Sequence, residues 1–67
     1  MEQKPAHVAL AEYILAQGMK KQDFAAIVGV RNDHFSRWLA GQVRPARPTR
    51  MLIAMITDGA VPTDAWE

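Results

Sequence analysis

Apolar residues recur at helical spacing in four segments of the chain, and glycine or proline residues separate one segment from the next. This periodicity predicts an all-α fold. Because no stretch alternates between apolar and polar residues over a useful length, no β-strand is expected. The predicted elements are helices at residues 5–17, 21–28, 32–40 and 48–57, followed by a short turn at 63–66.

The two central helices are joined by three residues and have the spacing of a helix-turn-helix. Ala25 is small, which lets the two helices approach closely. Gly29 can take the left-handed backbone conformation that the turn needs. Val30 and Phe35 are apolar and are expected to fold into the core. We therefore predict a helix-turn-helix unit at about residues 21–40 of a compact bundle of four or five helices.

Each predicted helix has one apolar face, which is expected to form the core. Polar and basic residues occupy the remaining face of the third helix. A helix that is buried on one side and offers hydrogen-bonding groups on the other is typical of helices that enter a DNA groove. Trp38 would be a base-stacking platform if it lay on that outer face, but it shares the apolar face with Phe35 and Leu39, which favours the core. The residues assigned to the core are Val8, Leu10, Ala11, Tyr13, Ile14 and Leu15, then Phe24, Ala25, Ile27 and Val28, then Val30, Phe35, Trp38 and Leu39, and finally Leu52, Ile53 and Ile56.

The charges are unevenly distributed, although the net charge is only +1. All five arginines lie between residues 31 and 50, where Asp33 is the only acidic residue. Arginine offers planar, forked donors that suit phosphate groups and guanine edges. A solvated surface with some arginine–carboxylate pairs would have the same composition, so the charge alone does not decide between the two interpretations.

Length and composition exclude several classes of protein. With 67 residues the chain forms one domain, residues 1–67, and without cysteine it has no disulfide and no thiolate zinc site. No apolar run approaches the roughly 20 residues of a membrane span, and no secretion signal is present. We expect a soluble cytoplasmic protein. Asp33, His34 and Ser36 are neighbours in sequence and point apart on a helix, so they cannot form a catalytic chain and no enzyme activity is expected. The sequence has no Gly-rich phosphate loop and neither histidine has a second metal ligand at suitable spacing, so no cofactor, metal or small-molecule substrate is expected.

The segments FAAIVGV and FSRWLAG, the Arg44-Pro45 pair and the tail IAMITDGAVPTDAW resemble the lambdoid phage Cro and repressor family, the broad Xre-like group of helix-turn-helix proteins. The resemblance covers roughly residues 10–66. It implies a transcriptional repressor that binds an inverted-repeat operator as a dimer, in a bacterial host cell and of phage or prophage origin. The sequence departs from the family pattern at Lys20, where a Ser or Thr cap is usual, and at Asp33 and His34, where small or amide side chains are more common.

The resemblance implies base contacts from the start of the third helix, which in this family enters the major groove. Arg37 would bind guanine through O6 and N7, and Asn32 would bind adenine. Asp33 would accept from cytosine N4, or it would instead orient Arg37 or favour the helix N-terminus. His34 is either a base contact or an exposed bystander. The expected phosphate contacts are Lys21, Gln22, Arg31, Ser36, Arg44 and Arg47.

The fourth helix and the tail, residues 48–67, are expected to form the dimer interface. Family members often self-associate there. The segment also contains more apolar residues than a small core requires, namely Met55, Val61 and Trp66. The alternative is an antitoxin or adaptor module that binds another protein through the tail. The sequence does not separate a phage switch from an autoregulator or an antitoxin.

Overall fold

The computed structural model describes residues 4–66, and these form an all-helical fold without strands. Every predicted element is present, and its bounds lie within one residue of those expected. Residues 1–3 and 67, which the single-domain prediction also includes, lie outside the described part. The elements are α1 (Ala6–Ala16), α2 (Lys21–Val28), α3 (Asn32–Leu39), α4 (Arg47–Ile56) and a C-terminal 3₁₀ turn (Thr63–Trp66).

The core gathers residues from all of these elements. On α1 the buried residues Ala6, Leu10 and Ile14 follow one another at intervals of four, which places them on a single face. The radius of gyration is 10.7 Å, close to the about 10.9 Å expected for a compact chain of this length. Within the described residues, no helix combines the length and the apolar character needed to cross a membrane. The buried apolar residues are Ala6, Leu10, Ile14, Phe24, Ala25, Phe35, Trp38, Ile53, Val61 and Trp66.

Four of the core assignments made from helical spacing are wrong, because Ala11, Leu15, Ile27 and Leu52 are exposed. Ile27 of α2 is 53% exposed, and Leu15, near the end of α1, is 81% exposed. Both residues have apolar neighbours at helical spacing, but no other helix covers their side of the molecule. Leu52 is also largely outside the core, with 37% of its surface exposed.

The segment after α4 folds back onto the core. Thr57 is buried; its hydroxyl donates to the carbonyl of Ile53 at 2.8 Å and accepts from the backbone N–H of Val61 at 3.2 Å. Val61 is 0% exposed and Trp66 is 5% exposed. The assignment of these two residues to a dimer interface is therefore corrected, because their side chains are used within the chain itself.

Gly29 ends α2 in the left-handed conformation, with φ of +88°. A Cβ added to this residue would have no neighbour within 4 Å, so the penalty for a side chain comes from the backbone alone. We expect Gly29→Ala to lower the free energy of unfolding by about 1–2 kcal/mol, as measured by urea titration with far-UV circular dichroism. Gly29→Asn is the matched control, and its loss should be smaller because asparagine tolerates this conformation. Equal losses for the two variants would contradict this explanation.

Candidate nucleic-acid interface

The junction between α2 and α3 is fixed by backbone hydrogen bonds and by aromatic packing. The N–H groups of Gly29 and Val30 both donate to the carbonyl of Ala25, at 2.9 and 3.0 Å. The rings of Phe24 and Phe35 stack with centroids 5.4 Å apart, one from each helix. Since Ala25 is buried and carries only a methyl group, it allows the helices to meet closely. These contacts hold α3 in a defined orientation against α2.

The outer face of α3 carries the three residues expected to contact bases. Asn32, Asp33 and Arg37 are all exposed. The opposite face is held by Phe35, which is 0% exposed, and by Trp38, which is 2% exposed. Because α3 has only eight residues, the buried pair anchors most of its length, and the polar face projects from the core.

The contacts of Asp33 differ from the suggestion that it orients Arg37. Its Oδ1 forms an ion pair with Nε of Arg31 at 3.5 Å; the side chain of Arg31 is 87% exposed and that of Asp33 is 67% exposed. An exposed pair of this kind adds little stability and is easily exchanged for another partner. Asp33 therefore keeps an accessible carboxylate at the first turn of α3, where a negative charge suits the helix dipole.

The neighbouring residues on α3 are partly engaged with the helix itself. The hydroxyl of Ser36, one of the expected phosphate contacts, donates to the carbonyl of Asn32 at 2.9 Å. The ring of His34 meets the ring of Trp38 edge to face at 5.4 Å. Since Trp38 is buried in the core, it offers no stacking platform to a base in this conformation.

Further donors lie at the start of α2 and α4. Lys21 and Gln22 are exposed in the first turn of α2, and Lys20 provides no side-chain cap there. The first N–H groups of a helix have no partner within the helix, so they remain available to an anion. Arg31 and Arg47 are exposed immediately before α3 and at the start of α4.

Two arginines hold the backbone in place, which the sequence did not reveal. Nη1 of Arg44 donates to the carbonyl of Trp66 at 3.1 Å, and Nε of Arg50 donates to the carbonyl of Pro45 at 2.9 Å. The first bond joins residues that only the folded chain brings together, whereas the second is local to the start of α4. Arg44, an expected phosphate contact, is thus partly occupied with the C-terminal turn, although its other guanidinium N–H groups remain.

The sequence reasoning also missed Thr57, whose hydroxyl links α4 to the tail. A small polar residue at the end of the predicted fourth helix gives no sign of burial in the sequence, and only the return of the tail buries it. Of the three residues expected at a dimer interface, Met55 alone is exposed, at 78%.

No family model, curated protein or solved structure matches this chain. Its function is therefore inferred from its own side chains and their arrangement.

Proposed function

We propose that this protein is a sequence-specific DNA-binding transcriptional regulator. In this proposal α2 and α3 form a helix-turn-helix, and α3 enters the major groove of double-stranded DNA. The protein acts as a Cro-like repressor on an inverted-repeat operator. The observation that carries the proposal is the division of α3 into a buried face and an exposed face with amide, carboxylate and guanidinium groups.

The exposed groups of α3 match the donors and acceptors of base edges. Arg37 can donate two hydrogen bonds to guanine, and Asn32 can both donate to and accept from adenine. Asp33 can accept from the amino group of cytosine. The three residues lie on a helix that Phe35 and Trp38 anchor from behind, so the fold has already fixed the helix that presents them.

The cationic groups around this face suit the phosphate backbone. Lys21 lies at the N-terminus of α2, Arg31 precedes α3, and Arg44 follows it. Contacts of this kind position a protein on DNA and make its affinity depend on salt. Phosphate binding and base reading can therefore be separated experimentally.

The test begins with selection of bound duplexes from a random pool, which reveals the preferred site and the half-site spacing. We expect Arg37→Ala to reduce the discrimination between the selected duplex and a scrambled one by roughly 5- to 150-fold, which corresponds to about 1–3 kcal/mol. Binding is measured by fluorescence anisotropy at fixed ionic strength. Since Arg37 is exposed, the thermal melt should not change.

Lys21→Ala is the control for charge. It should weaken binding to both duplexes equally, and the slope of log affinity against log salt concentration should fall in magnitude by about one. An Arg37→Ala chain that keeps the discrimination of the parent would overturn base reading by α3. A random pool that yields no preferred sequence would overturn sequence-specific binding altogether.

The alternative, an antitoxin or adaptor that uses its tail to bind another protein, finds less support. Val61 and Trp66, the apolar residues of that tail, are buried within the chain. The apolar side chains of the tail are therefore not available to a protein partner in this fold.

A further inference from the structure

A cavity of about 490 Å³ opens between the start of α1, the end of α3 with the loop that follows it, and the C-terminal turn. This volume lies within the range of roughly 300–1,000 Å³ that is usual for small-molecule sites in proteins. No sequence pattern predicted it, because its walls come from segments far apart in the chain. It is called the tryptophan cavity below, since Trp38 and Trp66 both line it.

Both tryptophans carry an N–H group for which the chain provides no acceptor. The side chains are almost completely buried, with Trp38 2% exposed and Trp66 5% exposed. Their indole nitrogens are buried too, and neither has a hydrogen-bond partner within the described residues. An indole nitrogen can only donate, and a buried donor without an acceptor is costly. The two groups therefore favour an acceptor that comes from outside the chain.

Two cationic side chains line the tryptophan cavity, and only one of them is neutralised. Lys4 is paired with Glu12 at 2.6 Å. Arg44 donates from Nη1 to the carbonyl of Trp66, which is a neutral group. Asp64 also lines the cavity, but it forms no ion pair in the described part of the chain. The guanidinium of Arg44 therefore keeps its charge and further donors for an anion.

The remaining walls of the cavity are largely apolar. They include Pro5, Ala6, Val43 and Ala65, together with the indole rings. A carboxylate suits the donors, because its two oxygens can accept from several N–H groups at once. A hydrocarbon body suits the apolar walls, which a strongly hydrated inorganic anion would leave without a contact.

We propose that the tryptophan cavity binds a small organic carboxylate with an apolar body. The guanidinium of Arg44 pairs with the carboxylate, and the indole N–H groups donate to its oxygens. Because the indole nitrogens are covered in this structure, the four-residue turn that carries Trp66 shifts slightly as the ligand enters. This ligand is additional to the proposed function, since its binding requires no DNA.

The test is a titration of the whole chain with benzoate, followed by proton–nitrogen correlation NMR. The chain has 2 tryptophans, so each of the two indole N–H signals belongs to a wall of the cavity. We expect both signals to move with one dissociation constant of roughly 1 mM, as suits a ligand of this size.

Benzamide and inorganic phosphate are the control ligands. Benzamide has nearly the shape of benzoate without its charge, and it should bind roughly tenfold more weakly because it forms no charge-assisted hydrogen bond. Phosphate has the charge without the apolar body, and at equal ionic strength it should move the indole signals much less. If either control bound as tightly as benzoate, the assignment of the ligand class would be wrong.

Arg44→Gln and Asp64→Asn change the charge of the cavity in opposite directions. We expect Arg44→Gln to weaken benzoate binding by roughly tenfold or more. Asp64→Asn removes an anion and should strengthen binding by about two- to fivefold. Arg50→Gln is the control, because Arg50 also donates to a backbone carbonyl, that of Pro45, but lies outside the cavity. Circular dichroism melts confirm that every chain is folded.

Two results would contradict a carboxylate site. One is a pair of indole signals that stay in place at every benzoate concentration reached. The other is an equal loss of benzoate binding in Arg44→Gln and Arg50→Gln. The titrations contain no DNA, so a chain that selects no duplex can still bind benzoate. Conversely, a chain that ignores benzoate can still select a duplex, and the two failures are therefore distinguishable.

Discussion

Replacing Phe24 with alanine is expected to remove a large part of the free energy of unfolding. Phe24 is 0% exposed, and its ring lies 5.4 Å from that of Phe35 and 6.5 Å from that of Tyr13. Removing a buried phenylalanine costs about 3–5 kcal/mol. A chain of 67 residues has a total stability of about 3–10 kcal/mol. The loss is therefore comparable with the whole stability, and urea titration followed by far-UV circular dichroism measures it.

Ile27→Ala provides the comparison within the same helix. Because Ile27 is 53% exposed, its truncation should change the free energy of unfolding by about 0.5 kcal/mol or less. The spacing of apolar residues assigns both Phe24 and Ile27 to the core, whereas in the structure only Phe24 is buried. If both variants lost the same stability, the assignment of Phe24 to the core and Ile27 to the surface would be wrong.

Trp66→Ala is expected to destabilise the fold by about 3–5 kcal/mol, because a large buried side chain is lost from a small core. Trp66 is 5% exposed and lies in the C-terminal 3₁₀ turn, which packs against α1 and α4. Its carbonyl also accepts the hydrogen bond from Arg44. The variant should show a much lower midpoint of thermal unfolding, recorded at several protein concentrations.

Asp64→Ala is the control in the same turn, since Asp64 is exposed, and its midpoint should be nearly that of the parent. Two roles were considered for the tail, a part of the core and a dimer contact, and they predict opposite results for Trp66→Ala. A tail that served only for dimerisation would leave the folded monomer intact when Trp66 is truncated, and only self-association would decrease. Such a result would contradict the placement of Trp66 in the core.

The positions of the helices were predictable because the breaks between them are encoded locally. Gly18, Gly29, Gly41 and Gly59 each follow a helix, and all four have positive φ. Pro5 immediately precedes α1, where its missing N–H is harmless. These residues act through their own backbone preferences, so no knowledge of the tertiary structure is needed to locate them.

Burial was harder to predict, because it depends on which neighbour covers a residue. The apolar pattern of an eight-residue helix does not say how wide its buried face is, and Ile27 falls just outside that face. Val61 and Trp66 were expected at a dimer interface and are instead buried within the chain. They follow the last α-helix, and only the return of the tail through Thr57 places them inside the molecule.

At the candidate interface, the sequence predicted which side chains are exposed but not which groups within the chain they bind. Asn32, Asp33 and Arg37 lie on the outer face of α3, as expected from the apolar residues between them. The interactions of Asp33 with Arg31 and of Arg44 with the carbonyl of Trp66 depend on side-chain conformations and on a distant segment. Contact of these residues with bases or phosphates stays a prediction.

The two tryptophans lie in the interior, one on α3 and the other in the last turn of the described chain. Each is therefore an optical label for a different part of the molecule, because indole emission shifts to longer wavelength when water reaches the ring. In chains where phenylalanine replaces the other tryptophan, the emission of Trp38 would report whether α3 stays packed against the core, and that of Trp66 would report whether the tail has detached. Ordinary fluorescence could thus follow α3 and the tail separately, without any added dye.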